Sequence, residues 1–195
     1  MDRPAVEDGR IVERQIGRPP RGMIRVESRC AFGYPVSISV APLVPHRRGK
    51  GEPEPFPTLF WLTCPALVEE VSRLESAGVI AALEAEAAVD PAFGARLRED
   101  HRRYAAEREG LLAGGARDEA ARRGLLPVLE GTGVGGCRSR EAVKCLHAHY
   151  AHHRARGGNA VGEILDARHG PRECTPGSVR CDAFRDPPAP EGPAR

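Results

Sequence analysis

The run Val143-Lys144-Cys145-Leu146-His147-Ala148-His149-Tyr150-Ala151-His152-His153 places four of the chain's seven histidines beside a cysteine. Thiolate and imidazole are the donors that zinc and other borderline-soft metals take up. On an α-helix, at about 100° per residue, Cys145, His149 and His152 share one face. Val143, Leu146 and Tyr150 share another, the natural core face, and His147 falls away from both. Cys145 with His149, one turn apart, is therefore half of a metal site. The remaining ligands must come from elsewhere in the chain, such as Cys30, Cys64 or Cys174. A packed or free thiol is the alternative role for Cys145.

Cys64 is a second candidate. In Thr63-Cys64-Pro65 the proline fits the first position of a helix, where a missing N–H costs nothing. A helix starting there aims its free N–H groups at the thiol, a field that favours thiolate. A small buried residue at a strand end is the alternative. The segment Gly131-Thr132-Gly133-Val134-Gly135-Gly136 formally reads GxGxxG. It follows a poor strand and no ribose-binding acid comes after it, so a dinucleotide fold is not indicated. As a glycine loop it offers the N–H groups of Gly133, Gly135 and Gly136 to an anion such as phosphate. Arg18, Arg21, Arg138, Arg140 and Lys144 would supply the cationic complement, and a plain connection is the alternative. Asp100, His101 and Tyr104 sit on one helix, where His101 continues the face of Phe93 and Leu97 and reads as a core histidine. No Gly-x-Ser-x-Gly, His-Glu-x-x-His or Walker A sequence is present.

What must hold these residues is bounded by composition. The 195 residues carry a formal charge of +2, from 29 basic and 27 acidic side chains. That balance argues against nucleic acid as a partner. With 41% hydrophobic and 29% charged residues, the chain is neither disordered throughout nor collagen-like. No apolar run approaches the roughly 18 residues of a membrane span, and no apolar signal core follows Met1. A cytoplasmic protein without a membrane partner is expected. The six cysteines contain no CxxC, which sets aside zinc ribbons and thioredoxin-type pairs. In a reducing compartment they are expected as thiols.

Alternating or nearly apolar segments at 24–28, 36–40 and 58–63 predict strands, the last of them central because it is apolar on both faces. Residues 125–129 read as a short edge strand. Start signals at Cys64-Pro65 and Asp90-Pro91 predict helices running to Gly78 and to about Arg108. Helices are also expected over 79–89, 142–155 and 161–167, with 110–124 mobile or weakly helical. Residues 46–55 form a polar, Gly- and Pro-rich loop. Strands followed by helices predict an α+β fold, a small mainly antiparallel sheet packed against several helices on one side. The organisation is a flexible N-terminus over 1–10, one domain over 11–175 and a flexible Pro-rich tail over 176–195.

Several segments resemble an uncharacterised family, DUF501, common in actinobacteria. They are Gln15-Ile16-Gly17-Arg18-Pro19-Pro20-Arg21-Gly22, then Arg29-Cys30-Ala31-Phe32-Gly33-Tyr34-Pro35, then Phe56-Pro57-Thr58-Leu59-Phe60-Trp61-Leu62-Thr63-Cys64-Pro65 and Val143-Lys144-Cys145-Leu146-His147-Ala148-His149, followed by Asn159-Ala160-Val161-Gly162. The resemblance covers roughly residues 11–175 and implies a bacterial cytosolic setting without a transferable activity. The family motifs map onto Cys30, Cys64, Cys145 and His147, which raises His147 above its place on the helical wheel.

The expected site is thus Cys30, Cys64 and Cys145 with His147 or His149, Cys64 and Cys145 facing one polar cleft, and zinc as the ion if metal is held. Two alternatives stand beside it. One is a non-enzymatic interaction or regulatory protein whose cysteines are structural and whose partner is another protein. The other is a phosphate-ligand enzyme built on the glycine loop and the arginines.

Overall fold

A computed structural model describes residues 6–44, 46, 51–112 and 115–185. Residues 1–5 and 186–195, the outer parts of the two segments expected to be flexible, lie outside the described residues. So do position 45, positions 47–50 of the polar loop and positions 113 and 114.

The elements run α1 (Val6–Ile16), β1 (Met23–Arg29), β2 (Pro35–Val40), β3 (Leu43–Val44), β4 (Glu54–Pro55), β5 (Phe60–Leu62), α2 (Pro65–Ser76), α3 (Val79–Val89), α4 (Pro91–Gly110), α5 (Gly115–Arg122), α6 (Leu126–Gly131), α7 (Leu146–Arg156) and α8 (Ala160–Arg168). Short 3₁₀ turns stand at Val134–Gly136 and Arg180–Phe184. The α+β architecture is the one expected: a three-stranded antiparallel sheet in the order β1-β2-β5, with β3 and β4 as a separate antiparallel pair.

The centre of the sheet is β2, every residue of which is buried, and not the apolar 58–63 segment. Its alternation explains this. Ile38 and Val40 join Val12 of α1 and Val44, with Val26 and Trp61 packed alongside. Ser37 and Ser39 point the other way, small enough to let α7 lie close, and the Ser37 hydroxyl pairs with that of Ser28 at 2.6 Å. The strand β5 forms an edge that helices cover. Its Phe60 ring stacks on His152 of α7, centroids 5.6 Å apart. The sheet is thus a middle layer, with α7 and most helices on one face and α1 on the other, where helices on one side alone were expected.

Start signals written locally hold. Asp90 caps α4 by accepting from the N–H groups of Ala92 and Phe93 at 2.9 and 3.2 Å, and Asn159 caps α8 through Gly162 N–H at 3.0 Å. Two starts differ from the sequence reading. Residues 126–131 are helical, not an edge strand, because Pro127 lies in the first turn, where its fixed φ suits a helix. The helix expected from 142 begins at Leu146, and Cys145 is its extended N-cap residue with φ −158°. Side chains from distant elements hold that approach open. Glu84 accepts from Val143 N–H at 2.8 Å, and Glu75 accepts from Leu146 N–H at 2.6 Å. The termini also dock further than expected. α1 begins within the segment read as flexible. The turn Arg180–Phe184 packs on the body, with Tyr34 donating to Asp182 at 2.6 Å and Arg180 paired to Glu69 at 2.6 Å.

Candidate metal centre

The late start of α7 places Cys145 and His147 at the mouth of the helix rather than along it. Cys145 lies at the positive end of the α7 dipole, which favours anionic donors. Glu75, near the C-terminal end of α2, reaches the same point from the facing helix. Its Oε1 lies 3.2 Å from His147 Nδ1 while holding the Leu146 N–H. Cys145 Sγ lies 4.0 Å from the same Nδ1. Among the described residues these three form the group of potential ligands whose donor atoms all lie within 4.8 Å of one another. A tetrahedral zinc ion, with bonds of about 2.0–2.3 Å, would space such atoms by roughly 3.3–3.6 Å. The observed separations bracket that range, and carboxylate, thiolate and imidazole are all ordinary zinc donors.

The imidazole is oriented from behind. His147 Nε2 stands 3.1 Å from the Val68 carbonyl and 3.1 Å from the Ser72 hydroxyl. A carbonyl only accepts, so Nε2 carries the hydrogen and Nδ1 faces Cys145 and Glu75. A backbone carbonyl on the far nitrogen is the usual support of a metal-ligating histidine. Burial pulls the His147 pKa down, but Cys145, the Glu75 charge and the Val68 carbonyl outweigh it and raise the value to about 9. Without metal, a proton on Nδ1 occupies the point toward which the three donors converge.

Cys145 and His147 line a cavity of about 450 Å³ whose wall also includes Gln15, Arg18, Phe56 and Trp61. Thr63 lines it as well, whereas Cys64, the next residue, is buried in the core.

The expected ligand set therefore divides. Cys145 and His147 come together, and Cys30 and Cys64 belong to a separate group of thiols around the start of β2. Cys30 N–H donates to the Tyr34 carbonyl at 3.0 Å and Cys64 N–H to the Val36 carbonyl at 3.4 Å. Cys181 Sγ accepts from the Gln15 amide at 3.3 Å, and the same amide donates to the Pro35 carbonyl at 2.8 Å. Cys174 packs against the core that Cys64 helps form, as Cys30 does. Burial pushes the Cys64 thiol pKa up against the pull of the Leu67 and Ala66 N–H groups, with Cys174 and Cys30 adding to the rise. His149 is also elsewhere. It is wholly buried, Nδ1 donating to Asn159 Oδ1 at 3.3 Å, its ring edge-on to His101 at 5.4 Å. The helical wheel misplaced it because Cys145 is not yet helical.

The glycine loop turns its donors inward. Gly133 N–H donates to the Cys137 carbonyl at 2.7 Å, Gly136 N–H to the Gly133 carbonyl at 3.0 Å and Val134 N–H to His101 Nδ1 at 2.9 Å. Gly135 N–H meets the Tyr104 hydroxyl. A Cβ at Gly133 would stand 2.2 Å from His101 Nδ1, so this glycine serves close packing, not an anion. Arg140 donates to the His101 carbonyl at 2.7 Å, and Arg21 pairs with Glu54 at 3.0 Å. Lys144 is exposed beside Gly136. Arg18 alone of that set lines the cavity that holds Cys145.

Glu75 is the site residue that sequence reasoning missed. One signal was available: an acid in the last turn of a helix opposes the helix dipole, which marks Glu75 as a residue used by another element.

All six cysteines are free, and their burial orders their reactivity. Limited alkylation should modify half-buried Cys30, Cys145 and Cys174 before buried Cys64, Cys137 and Cys181. Added zinc should protect Cys145 and leave Cys30 and Cys174 reactive. Peptide mass mapping reads both orders, and zinc protection of all three half-buried thiols alike would speak against a site confined to Cys145.

A family model described as a protein of unknown function (DUF501) matches residues 26–167. That span includes Glu75, Cys145 and His147. No curated protein and no solved structure matches the chain. No helix among the described residues is long and apolar enough to cross a membrane.

Proposed function

We propose, for a chain that belongs to the DUF501 family and takes no activity from it, that Glu75, Cys145 and His147 bind a divalent metal ion, zinc by donor chemistry. Three protein ligands leave a fourth position open toward the cavity, the pattern of catalytic rather than structural zinc sites. The observation that supports this reading is the shared nitrogen. In a thiol–imidazole–carboxylate relay the thiol and the carboxylate take opposite ring nitrogens. Here both face His147 Nδ1, and a backbone carbonyl and a hydroxyl take Nε2. Convergence of three donors on one point suits an ion. A bound ion there would polarise a substrate oxygen or a water molecule. Six free thiols fit a reducing cytoplasm.

Metal analysis of protein purified under reducing conditions tests the reading. Wild type should carry about one equivalent of metal, or take up one zinc ion in competition with a chromophoric chelator. Cys145→Ser and His147→Gln should each lose it while keeping the far-ultraviolet circular dichroism of the wild type. Cys64→Ser should retain it. Glu75→Gln keeps an acceptor for the Leu146 N–H but removes the charge, and should bind zinc at least tenfold more weakly. Wild-type protein that neither carries metal nor competes for zinc would overturn the proposal and leave Cys145 as a free thiol beside a charged imidazole.

A further inference from the structure

The cavity is lined by the cation of Arg18 as well as by Cys145 and His147. Arg18 is exposed, and its guanidinium lies over the Trp61 indole, 5.0 Å from the ring centroid. Its neighbours are engaged with anions or carbonyls: Arg21 with Glu54, Arg14 with the Phe184 carbonyl and Arg29 with Asp8. Among the described residues no carboxylate or carbonyl meets the Arg18 guanidinium. An arginine placed over an aromatic ring keeps N–H donors free for a planar or tetrahedral anion. Beside it, Gln15 Oε1 is buried without a hydrogen-bond partner, although its amide nitrogen is committed to the Pro35 carbonyl and Cys181. Ile16, Phe56, Phe60 and Trp61 give the cavity an apolar wall, and about 450 Å³ is room for a small molecule rather than a polymer.

From this juxtaposition we infer that the cavity binds a small organic anion, a carboxylate or phosphate on an apolar body, with Arg18 holding the anionic group and the opposite end of the molecule reaching the Cys145–His147 end. The inference rests on the metal reading only for what lies at that far end. Anion capture by Arg18 is a property of the chain without metal. In the metal-free chain the anion is drawn to Arg18, the cation of this cavity that no carboxylate meets among the described residues, which leaves the other end of the molecule at the trio.

Trp61 is the chain's only tryptophan, so its fluorescence reports on the cavity directly. Phenyl phosphate, benzoate and uncharged benzyl alcohol would be titrated into metal-free and zinc-supplemented protein. At least one of the two anions should change the emission saturably, at least tenfold more tightly than benzyl alcohol. The tighter of the two then names phosphate or carboxylate as the preferred group. Arg18→Gln, at an exposed position, should weaken the anion at least tenfold, leave benzyl alcohol unchanged and leave metal stoichiometry unchanged. Equal affinity for the uncharged probe, or an Arg18→Gln titration matching wild type, would overturn the inference. A chain that takes no metal but binds the anion through Arg18 would fail the metal reading alone. A chain that holds metal but shows no anion preference would fail this inference alone.

Discussion

Lowering the pH from 7 to 4.5 should cost the metal-free protein about 5 kcal/mol of folding stability through two buried histidines. His149 and His152 of α7 lie beneath the sheet, tied by Asn159, whose Oδ1 faces His149 Nδ1 at 3.3 Å and whose Nδ2 donates to His152 Nδ1 at 3.1 Å. Burial, with His101 nearby, lowers the His149 pKa to about 3, and burial, with Arg103 and Arg156 nearby, lowers that of His152 to about 3. Both are neutral in the folded chain and titrate near 6.5 when it unfolds. Between those values the unfolded state binds more protons, so stability is full above pH 6.5 and is lost as pH falls toward 3. Each group contributes about 1.4 kcal/mol per pH unit, which over two units and two residues gives the stated loss. Below pH 4.5, Glu27 joins them. Burial alone would raise its pKa, but hydrogen bonds from Arg156 and Arg25 hold it down to about 2. His147 has the opposite sign. With a folded pKa near 9, its contribution is complete below 6.5 and is lost as pH rises through 9. Urea denaturation with chelator present, from pH 4.5 to 9.5, should therefore give a maximum near neutrality. A flat profile between pH 7 and 4.5 would contradict neutral burial of this pair.

Features written in a few adjacent residues were legible in the sequence. Asp90-Pro91 and Cys64-Pro65 set helix starts through their own backbone geometry, and the three strand segments fell where alternation put them. Features decided across the chain were not. The first turn of α7 waits until Leu146 because carboxylates of Glu75 and Glu84, from two other helices, take the N–H groups of Leu146 and Val143. A helical wheel drawn from Cys145 therefore joined it to His149 and separated it from His147, the reverse of what folding does. Residue types at the family motif pointed to His147, which folding brings beside Cys145, because a motif records tertiary use that periodicity ignores. The centre of the sheet was misread for a related reason. Ser37 and Ser39 make β2 look half-polar, yet both are buried, because small residues are what let a helix approach closely.

The division of the thiols has the same origin. Cys64 and Thr63 are adjacent on an extended stretch, so their side chains point to opposite sides. Thr63 meets the cavity and Cys64 the core, and spacing alone did not say which. The glycine loop shows how a sequence pattern that suits anion binding serves packing instead: its N–H groups satisfy His101, Tyr104 and each other.

Arg108 should prove among the most costly single side chains to remove. It is fully buried on α4, yet no carboxylate among the described residues pairs with it. Its guanidinium donates instead to the backbone carbonyls of Pro57, Leu129 and Thr132, and lies over the Tyr104 ring at 5.8 Å. One side chain thereby joins the approach to β5, the end of α6 and the entry to the glycine loop. Burial pulls its pKa down, with Tyr104 pulling the other way. Removing it strands the two buried carbonyls of Leu129 and Thr132 at about 1–3 kcal/mol each, frees the half-buried Pro57 carbonyl and opens a cavity, so Arg108→Ala should lose on the order of 3–5 kcal/mol. Arg108→Met separates the causes, since it keeps most of the volume and supplies no donor. A buried ion can be replaced by an apolar side chain at no cost when its desolvation cancels its bonds. Here two of the acceptors, the carbonyls of Leu129 and Thr132, remain buried and unpaired after the change. Arg108→Met should therefore stay within about 1 kcal/mol of Arg108→Ala, and Arg108→Lys, a point charge with a different reach, should recover only part of the loss. Urea midpoints at constant m-value measure all three. A methionine variant as stable as wild type would show that the guanidinium fills space and that its three hydrogen bonds contribute nothing net.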